Sequence, residues 1–170
     1  MPPGSKAEGP PRLIGIGGPS CAGKTTLAQA LLTQLPGPAT ALALDAYYRD
    51  FAGLSPEEKA GFNFDAPEAL DREELVGDLR QLALGHAVEI PVYDFATHAR
   101  QAATPCIEPS AFLIVEGLYA LYWTDINALY QLKIFVAAPD ALCLQRRLAR
   151  DAVDRGRSPA SIRTQYLHQV

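Results

Sequence analysis

Cysteine is scarce in this chain. Cys21, Cys106 and Cys143 are odd in number and far apart in sequence, which excludes a disulfide framework or a clustered zinc site and fits reduced thiols in a cytoplasmic setting. A basic excess is also missing: 15 Lys+Arg stand against 19 Asp+Glu, a formal net charge of −4 with a pI of about 5.3. Bulk attraction to nucleic acid or to an anionic membrane needs a basic face. Neither is therefore expected as a partner, and any recognition of phosphate has to be local. No stretch reaches the roughly 18 consecutive apolar residues of a membrane span. Residues 1–11 are rich in Pro and Gly and carry no apolar run, so they read as a disordered tail rather than a secretory signal. What remains, 12–170, has the mix of one soluble domain: the chain is 48% hydrophobic and 20% charged over 170 residues. It shows no internal repeat.

Four short apolar runs, 13–17, 39–44, 111–115 and 132–137, lack polar alternation, the pattern of parallel strands buried on both faces. Helical stripes lie between them. Leu27, Leu31 and Leu35 recur at i+4; Leu75, Val76, Leu79 and Leu82 form a second apolar face. Asp71 with Glu74 resembles a capping-box start for that second helix, and Gly85 is a stop. A third stripe, Ala141, Leu144, Leu148 and Ala152, would leave Arg146, Arg147 and Arg150 on other faces of its helix. Strands alternating with helices imply an α/β layered domain with a mostly parallel central sheet flanked by helices. Pro91 interrupts the strand-like run 88–93, so that segment reads as an edge strand or excursion on the substrate side.

Gly18-Pro19-Ser20-Cys21-Ala22-Gly23-Lys24-Thr25 matches G-x-x-x-x-G-K-[ST], after a strand and at the start of a helix. The two glycines let successive N–H groups turn inward around a phosphate, and the helix N-terminus adds partial positive charge. Lys24 would neutralise β- and γ-phosphate charge, and the Thr25 hydroxyl would ligate Mg²⁺. Ser20, Cys21, Ala22 and Thr26 complete the nucleotide-binding set. Such a loop identifies a P-loop fold and a nucleotide but not the reaction. In open α/β sheets ligands lie beyond the carboxyl ends of the strands. Asp45 closes one strand run and Glu116 another, where a carboxylate can hold Mg²⁺ or accept a proton from an attacking hydroxyl.

These residues together resemble the uridine/cytidine kinases, with the phosphoribulokinases as more distant relatives. The resemblance rests on Ile16-Gly17-Gly18-Pro19-Ser20, Asp45-Ala46-Tyr47-Tyr48-Arg49, Phe62-Asn63-Phe64-Asp65-Ala66-Pro67, Ile90-Pro91-Val92-Tyr93-Asp94-Phe95 with Thr97-His98-Ala99-Arg100, Val115-Glu116-Gly117-Leu118, and Arg146-Arg147-Leu148-Ala149-Arg150-Asp151 with Arg155-Gly156-Arg157. It implies phosphoryl transfer from ATP (or GTP) with Mg²⁺ to the 5′-hydroxyl of a pyrimidine ribonucleoside. In that scheme Asp45 is the general base, and Thr25, Glu116 and Asp45 surround the metal. Asp65 meets the ribose, Tyr93 and His98 read the pyrimidine, and Arg147 and Gln165 face the nucleoside. Five of the eleven arginines fall between 146 and 157; with Lys24, the resemblance makes Arg150, Arg155 and Arg157 catalytic residues of a lid over the transferring phosphate. It also implies a homo-oligomer.

Two residues depart from the pattern: Ala137 follows the strand where the family usually has Asp, and Tyr47 stands where Phe is commoner. Family members also continue beyond the helix at 158–170 with a further strand and helix: either the protein is naturally short, or the sequence is a fragment, in which case a sheet edge and the donor-base pocket are expected to be incomplete. The alternatives are a nucleotide-binding module or pseudokinase with little turnover, and a related kinase acting on another ribosyl or pantothenate-like alcohol.

Overall fold

The computed structural model describes residues 9–154 and 158–169. Residues 1–8, the greater part of the expected tail, and the lid arginines Arg155 and Arg157 lie outside them. In chain order the elements are β1 (Arg12–Gly17), α1 (Lys24–Gln34), β2 (Ala39–Ala43), α2 (Pro56–Gly61), α3 (Arg72–Ala83), β3 (Val88–Glu89), β4 (Tyr93–Asp94), β5 (Ala99–Arg100), β6 (Cys106–Ile107), β7 (Phe112–Glu116), α4 (Thr124–Asn127), β8 (Leu132–Phe135), α5 (Asp140–Asp154) and α6 (Pro159–Gln169).

β1, β2, β7 and β8 form one parallel sheet in the order β2-β7-β1-β8, flanked by helices as the alternation of elements predicts. Strand side chains alternate between the two faces. Ile14, Ile16 and Ile114 pack with Ala28 and the half-buried Leu27, Leu31 and Leu35 at α1. Leu13, Leu113, Val115 and Leu42 face the other way, onto Leu75, Val76, Leu79 and Leu82 of α3. Leu13, Leu42, Leu44, Leu75, Leu79 and Leu82 are each less than 2% exposed, and burial of that extent is worth about 1.5–3 kcal/mol per side chain. α3 starts as its sequence predicts, with the Asp71 carboxylate accepting from the Glu74 N–H.

Two expectations are corrected. β8 and β2 are the two outer strands and neither is buried on both faces: Leu132 and Phe135 are 51% and 67% exposed, and within β2 Leu42 alone is buried. The apolar stripe drawn on α5 is also displaced, since Ala141 and Ala152 are exposed and Leu144 and Leu148 only half-buried. Its inward line is Cys143, Arg147 and Asp151, at exposures of 0%, 2% and 0%. That i, i+4, i+8 row carries charge, which hydrophobic periodicity cannot register.

The segment around Pro91 is an excursion built of two antiparallel pairs, β3 with β6 and β4 with β5. It has its own aromatic core, Phe51, Phe64 and Tyr93 with Ala69. Helix α2 opens with a capping box that the sequence reading did not include: Ser55 accepts from the Glu58 N–H, and the Glu58 carboxylate from the Ser55 N–H.

A turn of 3₁₀ helix, Leu44–Tyr47, follows β2 and is fastened to α3, where the buried Tyr47 hydroxyl donates to Asp78 Oδ2 at 2.9 Å. Burial raises the phenol pKa well above its ordinary value, and the adjacent Asp78 adds to the shift, so the hydroxyl remains a donor at any working pH. Tyr47→Phe removes that donor and should lower stability by about 1–2 kcal/mol, measured as a drop in urea midpoint at unchanged m-value.

Candidate functional site

Between β1 and α1 the chain makes a loop whose backbone runs through positive φ at Gly18 (143°), Cys21 (63°) and Gly23 (112°). Gly18 is fixed twice over: a Cβ there would come within 2.2 Å of the Val136 carbonyl oxygen, at the end of β8. The loop closes on itself through Ala22 N–H donating to Pro19 O at 3.2 Å. Lys24 is buried at 8% exposure and donates from Nζ to that same carbonyl at 2.8 Å. Burial lowers the ammonium pKa, opposed by the nearby Glu116 and Asp45 carboxylates. α1 has no side-chain cap and no acid in its first turn, so its leading N–H groups and positive end are left to an anion.

Parallel pairing puts Glu116 level with Ile16 of β1 and with Ala43 of β2. The ends of the three strands therefore deliver the phosphate loop, Asp45 and Glu116 to one place. They line a cleft of about 800 Å³ together with Ser20, Cys21, Ala22, Gly23, Lys24, Thr25 and Thr26. The Thr25 hydroxyl donates to Glu116 Oε1 at 2.9 Å. Burial pushes the Glu116 carboxyl above its usual range; the Thr25 hydrogen bond opposes this and Asp45 adds to it. No group of three or more His, Cys, Asp or Glu side chains able to hold a metal occurs among the described residues. The donors present are a hydroxyl and two carboxylates, all hard oxygens. That set suits Mg²⁺, which is commonly held by one or two carboxylates while phosphates supply other ligands.

The residues assigned to the acceptor are only partly brought together. Asp65 lines the same cleft, but its carboxylate accepts from Arg147 Nη2 at 2.6 Å and is 11% exposed. The pair joins α5 to the loop before α3. Tyr93 and His98 do meet, with the Tyr93 hydroxyl 3.2 Å from His98 Nδ1. The Tyr93 ring is buried and stacked on Tyr48 with centroids 5.0 Å apart, so that face is already in use. His98, held at φ 57°, stacks on Phe64 at 4.1 Å. His98, Phe64 and Gln165 share a second cavity of about 540 Å³ with Lys59, Ser158 and Ser161.

Several neighbours of the site were given no role from the sequence. Tyr48 and Phe64 form the aromatic wall, Tyr119 donates its hydroxyl to the Asp65 carbonyl, and Arg146 Nη1 donates to the Cys21 carbonyl at 3.2 Å. The Phe62-Asn63-Phe64-Asp65 segment carried a signal in two aromatics alternating with two polar residues. A carbonyl acceptor, by contrast, has no sequence signature. Arg150 lines the donor cleft.

A model of the Phosphoribulokinase / Uridine kinase family matches residues 13–170. The chain is 43% identical over 161 residues to a uridine kinase of Chloroflexus aurantiacus, covering 94% of this chain and 77% of that one. It is 42% identical over 159 residues to a uridine kinase of Staphylococcus haemolyticus, with 93% and 77% covered. Its fold superimposes on a phosphoribulokinase from Rhodobacter spheroides with a TM-score of 0.65 at 20% identity, covering 94% of this chain and 63% of that one. A parallel sheet with a phosphate loop at its carboxyl edge and a match running almost from end to end lead to one assignment: the chain belongs to the phosphoribulokinase/uridine kinase family.

Proposed function

We propose that this protein transfers the γ-phosphoryl group of ATP, bound with Mg²⁺, to the 5′-hydroxyl of a pyrimidine ribonucleoside, yielding UMP or CMP and ADP in cytoplasmic pyrimidine salvage. The observation that carries the reading is the convergence of the Lys24 loop, the Thr25–Glu116 pair and Asp45 on one cleft. The relatives at 42–43% identity are uridine kinases, which supports uridine as an acceptor.

The loop amides and the Lys24 ammonium hold the β- and γ-phosphates and offset the charge that spreads over the γ-phosphoryl oxygens. Asp45 takes the proton from the 5′-hydroxyl as that oxygen bonds to the γ-phosphorus and the bond to the β-phosphate oxygen breaks. Mg²⁺, held by Thr25 and Glu116 with Asp45 nearby, would supply further charge neutralisation. Arg150, with Arg155 and Arg157, donates hydrogen bonds to the transferring group. Closure of that segment would exclude water and limit idle hydrolysis of ATP. Asp65, Arg147, Tyr93, His98 and Gln165 orient the nucleoside.

ADP release measured over a panel of nucleosides with ATP and Mg²⁺ should show turnover that depends on uridine or cytidine; nucleotide binding without such turnover would sink the proposal. Asp45→Asn should lower kcat by about 10²-fold or more with ATP affinity nearly intact, and equal turnover in variant and parent would remove Asp45 from the role of base. Glu116→Gln should separate stability from activity. The raised carboxyl pKa means that the folded state favours protonated Glu116, a contribution present in acid and lost as pH rises through the folded pKa. The neutral amide does not suffer that loss, so near neutral pH the variant should melt at the same temperature as the parent or higher. The difference should vanish in acid, and turnover should fall at least about 10-fold. A clearly lower Tm at neutral pH would contradict this account.

A further inference from the structure

Asp151 has no place in the reaction described above, yet it is fully buried, at 0% exposure. Its carboxylate joins two guanidinium groups. Oδ1 accepts from Arg150 Nε at 2.8 Å and forms an ion pair with its Nη2 at the same distance, while Oδ2 lies 3.5 Å from Arg147 Nε, one helical turn back. Arg147 passes the chain of contacts on, giving Nη2 to Asp65 at 2.6 Å. The network therefore runs from Arg150, which lines the cleft at the phosphate loop, to Asp65 on the acceptor side.

The geometry at Arg150 is not what a helix supplies by default. Residues i and i+1 project in different directions and do not face each other, so Arg150 has to fold back to lay its Nε edge on the neighbouring carboxylate. That leaves the Nη1 side of the guanidinium for whatever occupies the cleft. The network is also a poor way to gain stability. Removing the Asp151 carboxylate and the Arg147 guanidinium from water is costly, and apolar residues of similar volume often do as well or better. The adjoining interior is apolar, with Cys143, Ala22 and Tyr166 packed together beside it.

Taking the kinase reading as given, we infer that Asp151 is a positioning residue that clamps the guanidinium of Arg150 on the donor side to that of Arg147 on the acceptor side. Fixing the two heads against one buried carboxylate sets the phosphate-binding arginine at a constant distance from the group that holds Asp65. A small loosening there displaces reacting groups relative to each other, and a displacement of about 1 Å costs up to about 100-fold in rate.

The test compares kcat and both KM values for the parent, Asp151→Asn, Arg150→Gln and the double variant. Asp151→Asn should lose about 10- to 100-fold in kcat while KM for ATP and for the nucleoside stay within about threefold. The double variant should be no slower than Arg150→Gln alone, because the carboxylate acts through that arginine. Losses that multiply in the double variant, or a kcat for Asp151→Asn within about twofold of the parent, overturn the inference. A second measurement needs neither turnover nor a folded Asp151 variant. In ¹⁵N spectra of the unaltered protein, the Arg150 Nε–H, identified by its disappearance in Arg150→Gln, should exchange slowly with water; fast exchange overturns the clamp. An unaltered protein with no nucleoside-dependent ADP release would instead sink the kinase reading, while the exchange rate would still decide whether the clamp exists.

Discussion

Parallel pairing of the central strands is the constraint on which the rest of the molecule depends. Because β1, β2 and β7 run in the same direction and in a register that puts Ile16, Ala43 and Glu116 on one row, everything that follows them emerges on the same edge. The phosphate loop, the turn carrying Asp45, and Glu116 itself are consequences of that alignment. Gly18 extends it, since its close approach to the Val136 carbonyl ties the loop to the end of β8 as well. A slip of one residue in β7 would exchange its buried faces and carry Glu116 away from Thr25.

The parts of this design that were legible in the sequence are those in which a residue type has only one inexpensive environment. Uninterrupted runs of Leu, Ile and Val mark strands covered on both sides, as β1 and β7 are. A glycine-rich turn ending in Lys-Thr ahead of a helix has few uses besides cradling phosphate. Asp45 and Glu116 could be picked out because strand ends are where α/β sheets place their chemistry. β8 misled because an edge strand made of the same apolar residues reads like an interior one: position in a sheet is a long-range property. α5 misled for a different reason. Sequence patterning assumes that charge faces water, whereas Arg147 and Asp151 turn inward, Arg147 to donate to Asp65 and Asp151 to sit 3.5 Å from the Arg147 Nε.

That inward turn explains why the acceptor side differs from a simple assembly of nucleoside contacts. Asp65 and Arg147, each assigned to the sugar from sequence, meet one another at 2.6 Å; Tyr93 is covered by Tyr48 and Phe95 and touches His98 through its hydroxyl. The side chains assigned to the acceptor are thus held by protein partners, an arrangement that would reduce the conformational freedom lost on binding. The donor side is prepared by similar means, with the Lys24 ammonium already resting on the Pro19 carbonyl.

The excursion that carries Tyr93 and His98 has an aromatic core of its own, Phe51, Phe64 and Tyr93 with Ala69, apart from the two apolar layers of the central sheet. Tyr48 packs against both this cluster and the larger apolar layer, so substitutions that keep Tyr48 in place are the ones expected to act independently of the sheet. The architecture therefore separates two tasks: the parallel sheet fixes where the phosphate loop emerges, while the aromatic cluster can be repacked around Tyr48 without shifting that edge.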